Sequence, residues 1–274
     1  MVAEPEVNYF KSFDGVVIAY SELEPESSQG AGGDLALELA KVPVVLHHGF
    51  ASDSRTNWIR SRVAEALADA GRIVVMVDAR GHGLSERPHQ AAAYRRGAMV
   101  SDVEALLGHL GAARFDFVGY SMGAFVGVGV ALAPRLGYRL RRLVLGGAGS
   151  GQSSLATRER AAVIAEGLEA RDVSRITDPT ARAFRSFADA TKADRLALAA
   201  IQRSGAGAPE VSVLGAIAVP TLVVNGDRDT LVGDPASWAE AIPGARLVVV
   251  PGDHLSAVMR PQFRRAVLDF LCET

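Results

Sequence analysis

The chain predicts an α/β fold: a mostly parallel central sheet with helices on both faces, interrupted by a helical cap insertion. Three observations lead there. Short, nearly continuous apolar runs recur with the length and β-branched content of strands buried on both sides. Segments of helical period alternate with them, and one long helical stretch breaks the alternation. At 274 residues the chain is long enough for one large core domain carrying an insertion.

Before the first central run, Pro25-Glu26-Ser27-Ser28-Gln29-Gly30-Ala31-Gly32-Gly33 reads as a surface loop within 24–41. Val42-Pro43-Val44-Val45-Leu46 is the first strand, and Ile59, Val63, Leu67 and Ala70 then recur at helical spacing. Ile73-Val74-Val75-Met76-Val77 is the next strand. Met99, Val103, Leu106 and Leu110 mark a helix that Gly111 can stop in a left-handed turn. Phe115-Asp116-Phe117-Val118 and Leu143-Val144-Leu145 are strands on either side of the helical stretch 124–132.

Residues 149–215 have helical composition and no strand pattern, with Asp178-Pro179 as a helix start. They are expected to form a cap over the strand ends, on a core made of residues 1–148 and 216–274. Strands Thr221-Leu222-Val223-Val224 and Leu247-Val248-Val249-Val250 and a helix carrying Phe263, Val267, Phe270 and Leu271 complete the core. Right-handed crossovers follow from the alternation, and they put ligands at the carboxyl ends of the strands.

Charge narrows the functional classes. A net charge of −2, with no cluster of Lys and Arg, offers nothing to a phosphate backbone or an anionic bilayer, so nucleic acid and membrane are not expected partners. The uncharged stretch 117–134 is long enough to suggest a membrane span, but four glycines, Ser121 and Pro134 fit a buried strand, turn and helix better. The single cysteine, Cys272, cannot form an internal disulfide, and Met1-Val2-Ala3-Glu4-Pro5-Glu6 lacks the pattern of a signal peptide. A cytoplasmic setting and a small-molecule partner are the expectation, while oligomeric state is unreadable.

Phe117-Val118-Gly119-Tyr120-Ser121-Met122-Gly123 places a serine between two glycines where a strand passes into a helix. A serine on such a sharp turn has its Oγ lifted clear of the sheet, and glycines on either side let strand and helix approach closely. Gly146-Gly147-Ala148-Gly149-Ser150-Gly151 lacks the spacing of a dinucleotide or phosphate loop and reads as a hinge into the insertion. No His-Glu-x-x-His occurs, and adjacent His47 and His48 cannot readily face one ion, so no catalytic metal is expected.

At Ser121 the chain resembles the α/β-hydrolase family, and further stretches add to the likeness. These are His47-His48-Gly49-Phe50, Asp78-Ala79-Arg80-Gly81-His82-Gly83-Leu84-Ser85, Gly226-Asp227-Arg228-Asp229 and Gly252-Asp253-His254, in that order. The resemblance covers most of the chain outside the insertion. It implies Ser121 as nucleophile, His254 as its base after the last strand, and Asp229 as the carboxylate that orients the histidine. Asp227 is a rival for that role and Asp253 a weaker one. It also implies backbone N–H groups of Phe50 and Met122 as an oxyanion hole, each donor worth about 3–4 kcal/mol to the transition state. His82 reads as a loop-structuring residue, and His89 and His109 as surface residues.

The implied reaction is hydrolysis of a carboxylic ester or lactone of a small, largely apolar substrate through an acyl-enzyme, with no cofactor. Relatives that open epoxides or displace halides use aspartate at the nucleophile position, which disfavours those reactions. Carbon–carbon bond hydrolysis, cofactor-free perhydrolysis and non-catalytic binding of a small ligand remain open. Phe184, Phe187, Trp58 and Met122 are candidate pocket residues, each equally able to pack in the core.

Overall fold

The computed structural model describes residues 5–25, 42–152 and 156–273. Most of the loop expected over 24–41 lies outside the described residues. Among them the strands are β1 (Val7–Lys11), β2 (Val17–Leu23), β3 (Val44–His47), β4 (Val74–Val77), β5 (Phe115–Tyr120), β6 (Leu140–Gly146), β7 (Thr221–Gly226) and β8 (Arg246–Val250). They form one eight-stranded sheet in the order β1-β2-β4-β3-β5-β6-β7-β8. Pairing is parallel from β4 through β8 and antiparallel at β1–β2 and β2–β4.

Side-chain alternation divides the sheet residues between two cores. Val45, Val75, Phe117, Leu145 and Val223 pack on one face with helices α2 (Ala98–His109), α3 (Met122–Leu132) and α7 (Ala236–Ala241). Val44, Leu46, Val74, Met76, Val118, Val144 and Leu222 pack on the other with α1 (Val63–Asp69) and α8 (Pro261–Cys272). Residues one apart thus point to opposite layers, which is why these runs are apolar without a break.

Between β6 and β7 the described regular elements are all helical, chiefly α4 (Ala156–Glu169), α5 (Pro179–Thr191) and α6 (Arg195–Arg203). Asp178 caps α5 by accepting from the Ala181 N–H at 2.8 Å, and Asp194 caps α6 by accepting from Leu196 and Ala197. Pro179 occupies the first turn, where its missing N–H costs nothing. Ile164, Leu168, Ala188, Leu198 and Ile201 form a third apolar cluster that reaches Ala51 and Tyr94 on loops of the core.

Three features depart from the sequence reading. The β1–β2 hairpin was not anticipated, although Asp14-Gly15 at its turn, with Gly15 at φ +87°, is a hairpin signal. The helix expected from Ile59 is divided. Ile59 ends a wide helical turn, Arg55–Ile59, closed by Arg60 N–H donating to Arg55 O, and α1 starts at Val63 because Arg62 takes φ +60°. Finally, β8 is an edge strand rather than one covered on both faces: Leu247 is 38% exposed and Val249 49%.

A buried ion pair ties the amino ends of the strands together. Asp116 on β5 accepts from Arg72, just before β4, at 2.7 Å and from Arg141 on β6 at 2.6 Å. Arg72 also donates to the carbonyls of Val42 and Leu271, so one guanidinium links β3, β5 and α8. Removing the carboxylate would strand a buried cation. Asp116→Ala is therefore expected to lose about 3–5 kcal/mol of stability, read from the urea unfolding midpoint at constant slope.

Candidate active site

The backbone at Ser121 is strained in the way a nucleophile turn requires. Its φ of 54° and ψ of −113° lie outside the regions L-residues favour, and its N–H donates to Gly146 O on β6 at 2.8 Å. The turn leaves no space for neighbouring side chains. A Cβ on Gly119 would come within 2.1 Å of Gly123 O, and one on Gly123 within 2.0 Å of His47 O. The two glycines are thus what allows α3 to begin directly against β3 and β5.

The structure brings Ser121, His254 and Asp229 together across 133 and 25 positions of sequence. His254 Nδ1 lies 2.7 Å from Asp229 Oδ2, and its Nε2 lies 2.9 Å from Ser121 Oγ. A carboxylate can only accept, so Nδ1 carries the proton and Nε2 is left as an acceptor for the serine O–H. Asp229 follows β7, its side chain buried, and its Oδ1 accepts from Leu231 N–H at 3.1 Å. The Tyr120 hydroxyl donates to His254 O at 2.7 Å, fixing the backbone that carries the imidazole.

The other two carboxylates face elsewhere. Asp227 Oδ1 accepts from Gly252 N–H at 2.8 Å, and Asp253 Oδ1 accepts from the Ser256 hydroxyl and N–H and from Leu255 N–H. Of the remaining histidines, His89 meets Asp194 at the surface, and exposed His109 stacks on Phe10.

Phe50 follows β3, where each peptide beside it is already engaged. Gly49 N–H donates to Asn57 Oδ1 at 2.8 Å, and Ala51 N–H donates to His82 Nε2 at 3.1 Å. His48 Nδ1–H donates to Gly49 O at 2.8 Å, its Nε2 accepting from Ala79 N–H. Thr191 Oγ1, at the end of α5, donates to Ala51 O at 3.1 Å. Among the described residues the N–H groups of Phe50 and Met122 have no protein acceptor, and Met122 opens α3, where the helix dipole favours negative charge.

Two cavities border Ser121 and His254, with volumes of about 310 and 540 Å³. Phe50, Thr180, Phe184 and Leu231 border both. Phe187 borders the smaller one and Met122 the larger, whereas Trp58, a candidate pocket residue in the sequence, is fully buried in the core beside α1. Asn57, which no motif marked, borders the smaller cavity. Among the described residues no group of three or more His, Cys, Asp or Glu is placed to hold a metal ion, and no helix is long and apolar enough to cross a membrane.

A sequence model of the α/β-hydrolase fold matches residues 42–162. The acetyltransferase component of the acetoin-cleaving system of Pseudomonas putida is 32% identical over 251 residues, which is 84% of this chain and 63% of that one. The chain has the α/β-hydrolase fold. Epoxide hydrolase A of Mycobacterium tuberculosis is 41% identical over 83 residues, 30% of this chain and 25% of that protein. This α/β-hydrolase chain thus spans less than two thirds of the length of these curated relatives. An enol-lactonase from Burkholderia xenovorans superposes with a TM-score of 0.71 at 26% identity, over 97% of this chain and all of the other.

Two histidines near the site are buried and neutral. Burial lowers the pKa of His47 from 6.5 to about 3 and holds His82 well below its ordinary value, with the neighbouring His48 acting in the same direction. In the unfolded chain both would take up a proton near pH 6.5, so their contribution to stability is complete above that pH and declines as pH falls toward 3. The denaturant midpoint is expected to drop between pH 7 and pH 5; a flat profile there would contradict neutral burial.

Proposed function

We propose that this protein is a serine hydrolase that cleaves a carboxylic ester or lactone of a small, largely apolar substrate. The observation that carries the reading is the unbroken relay from Asp229 through His254 to Ser121, ending on a strained turn. In this mechanism Ser121 Oγ attacks the carbonyl carbon as its proton passes to His254 Nε2, and Asp229 stabilises the imidazolium. The carbonyl oxygen becomes an anion facing the N–H groups of Phe50 and Met122. His254 then gives its proton to the departing alkoxide, leaving an acyl-serine. Water repeats the two proton transfers and releases the acid.

The cavities support this reading because two of them border the nucleophile, and an ester needs space there for both an acyl and an alcohol half. Helices α4, α5 and α6 serve as a cap, with Phe184 of α5 against Phe50 at 5.5 Å between ring centroids. The likeness to an enol-lactonase and to an acetyltransferase component favours acyl chemistry. Serine at position 121 disfavours epoxide opening, which in this family proceeds through an aspartate.

Ser121→Ala is expected to lower kcat on p-nitrophenyl esters by about 10⁴–10⁶ while the fold is retained. A fluorophosphonate probe should label the wild-type chain at Ser121. Undiminished turnover in the variant would refute Ser121 as the nucleophile, and no labelling of folded protein would move the reading to a binding function.

A further inference from the structure

Asn57 lies seven residues beyond Phe50 and is 6% exposed, on the wide helical turn Arg55–Ile59. Wide turns of this kind frequently occur at functional sites. Its Oδ1 accepts from Gly49 N–H at 2.8 Å. That bond decides which way the amide faces, because a peptide N–H can be satisfied only by the oxygen, so Nδ2 must be turned away from Gly49. Among the described residues Nδ2 meets no acceptor. The side chain borders the smaller cavity together with Ser121 and His254.

Distances measured from Gly49 place the amide oxygen of Asn57 within 7.0 Å (3.7 plus 3.3) of the serine Cβ. A Cβ built on Gly49 would lie 3.7 Å from Asn57 Oδ1 and 3.3 Å from Ser121 Cβ. Around it the cavity presents mainly carbon, from Phe184, Phe187, Leu255, Val258 and Met259. A nearly buried NH₂ group in such a wall is stabilised by an acceptor brought in by a ligand, and hydrocarbon set against it leaves two hydrogens unpaired.

We propose that Asn57 is a specificity-determining, substrate-binding residue: its Nδ2 donates to an oxygen on the acyl half of the substrate, close to the scissile carbonyl. Acyl groups bearing an ether, keto or hydroxyl oxygen there are preferred to hydrocarbon acyl groups of equal length. This rests on the reading of Ser121 as the nucleophile. The two halves of the amide therefore act separately, Oδ1 on the loop carrying Phe50 and Nδ2 on the substrate.

Asn57→Asp separates those roles, since a carboxylate keeps the acceptor for Gly49 N–H and removes the donor. The assay compares kcat/KM for p-nitrophenyl methoxyacetate against butanoate and ethoxyacetate against pentanoate, each pair matched in chain length. Intrinsic ester reactivity cancels when the ratio in the variant is divided by that in the wild type. The preference for the oxygenated ester is expected to fall by about tenfold or more in Asn57→Asp. Asn57→Leu should lose the same preference and act more slowly, though measurably, on all four esters, because Gly49 N–H then has no acceptor. If Asn57→Asp does not fold, the Asn57→Leu ratio decides.

An unchanged ratio, with or without a common fall in rate, overturns the proposal. Ser121→Ala is measured alongside. If that variant is inactive and the ratio does not move, only the role of Asn57 fails; if it retains wild-type turnover, Ser121 is not the nucleophile and this proposal fails with that reading.

Discussion

No room exists between Gly123 and the carbonyl of His47 for one methyl carbon, and the site depends on that contact. Because α3 can start against β3, the chain reverses at Ser121 in a turn that ordinary residues avoid, and the hydroxyl stands out at the carboxyl ends of the strands. The same closeness sets Met122 N–H at the head of a helix beside the loop that bears Phe50 N–H. Strain at one residue is held by the packed sheet on both sides, where Phe117, Val118 and Tyr120 of β5 are buried.

Around this turn lies a layer of polar contacts that acts on the backbone rather than on a ligand. Gly49, Phe50 and Ala51 form a short loop whose neighbouring peptide groups are engaged by Asn57, His82, His48 and Thr191. His82 is itself placed by the loop after β4, where the buried Arg80 guanidinium meets Asp102 at 2.6 Å and Asp14 at 2.8 Å. The cation held by two carboxylates anchors that loop to α2 and to the hairpin turn. Rigid support of this kind is what an oxyanion hole needs, since donors that must reorient during the reaction lose much of their effect.

Much of this was legible in the chain. The parallel strands were readable because burial on both faces requires unbroken apolar runs, as in Val44-Val45-Leu46 and Val74-Val75-Met76-Val77. Ser121, Asp229 and His254 were nominated by the resemblance to the α/β-hydrolase family, which expects such residues after particular strands. Less legible was the edge position of β8, because Leu247-Val248-Val249-Val250 is as apolar as a central strand and only sheet order leaves one side uncovered. The break after Ile59 was hidden for a related reason: Arg62 carries no mark of a left-handed residue, and tertiary packing imposes it.

By itself the sequence determined the alternation of layers, the positions of the turns, and the residue types capable of nucleophilic chemistry, because these follow from local periodicity and from the chemistry of single side chains. Only the tertiary structure decided which carboxylate meets the imidazole: the resemblance ranked Asp229 ahead of Asp227 and Asp253, but the direction of each side chain is set when the loops after β7 and β8 fold against each other. It alone also revealed Asn57 as part of the site. A hydrogen bond between residues eight apart on an irregular loop has no period and no motif, and it exists only once the backbone has closed around it.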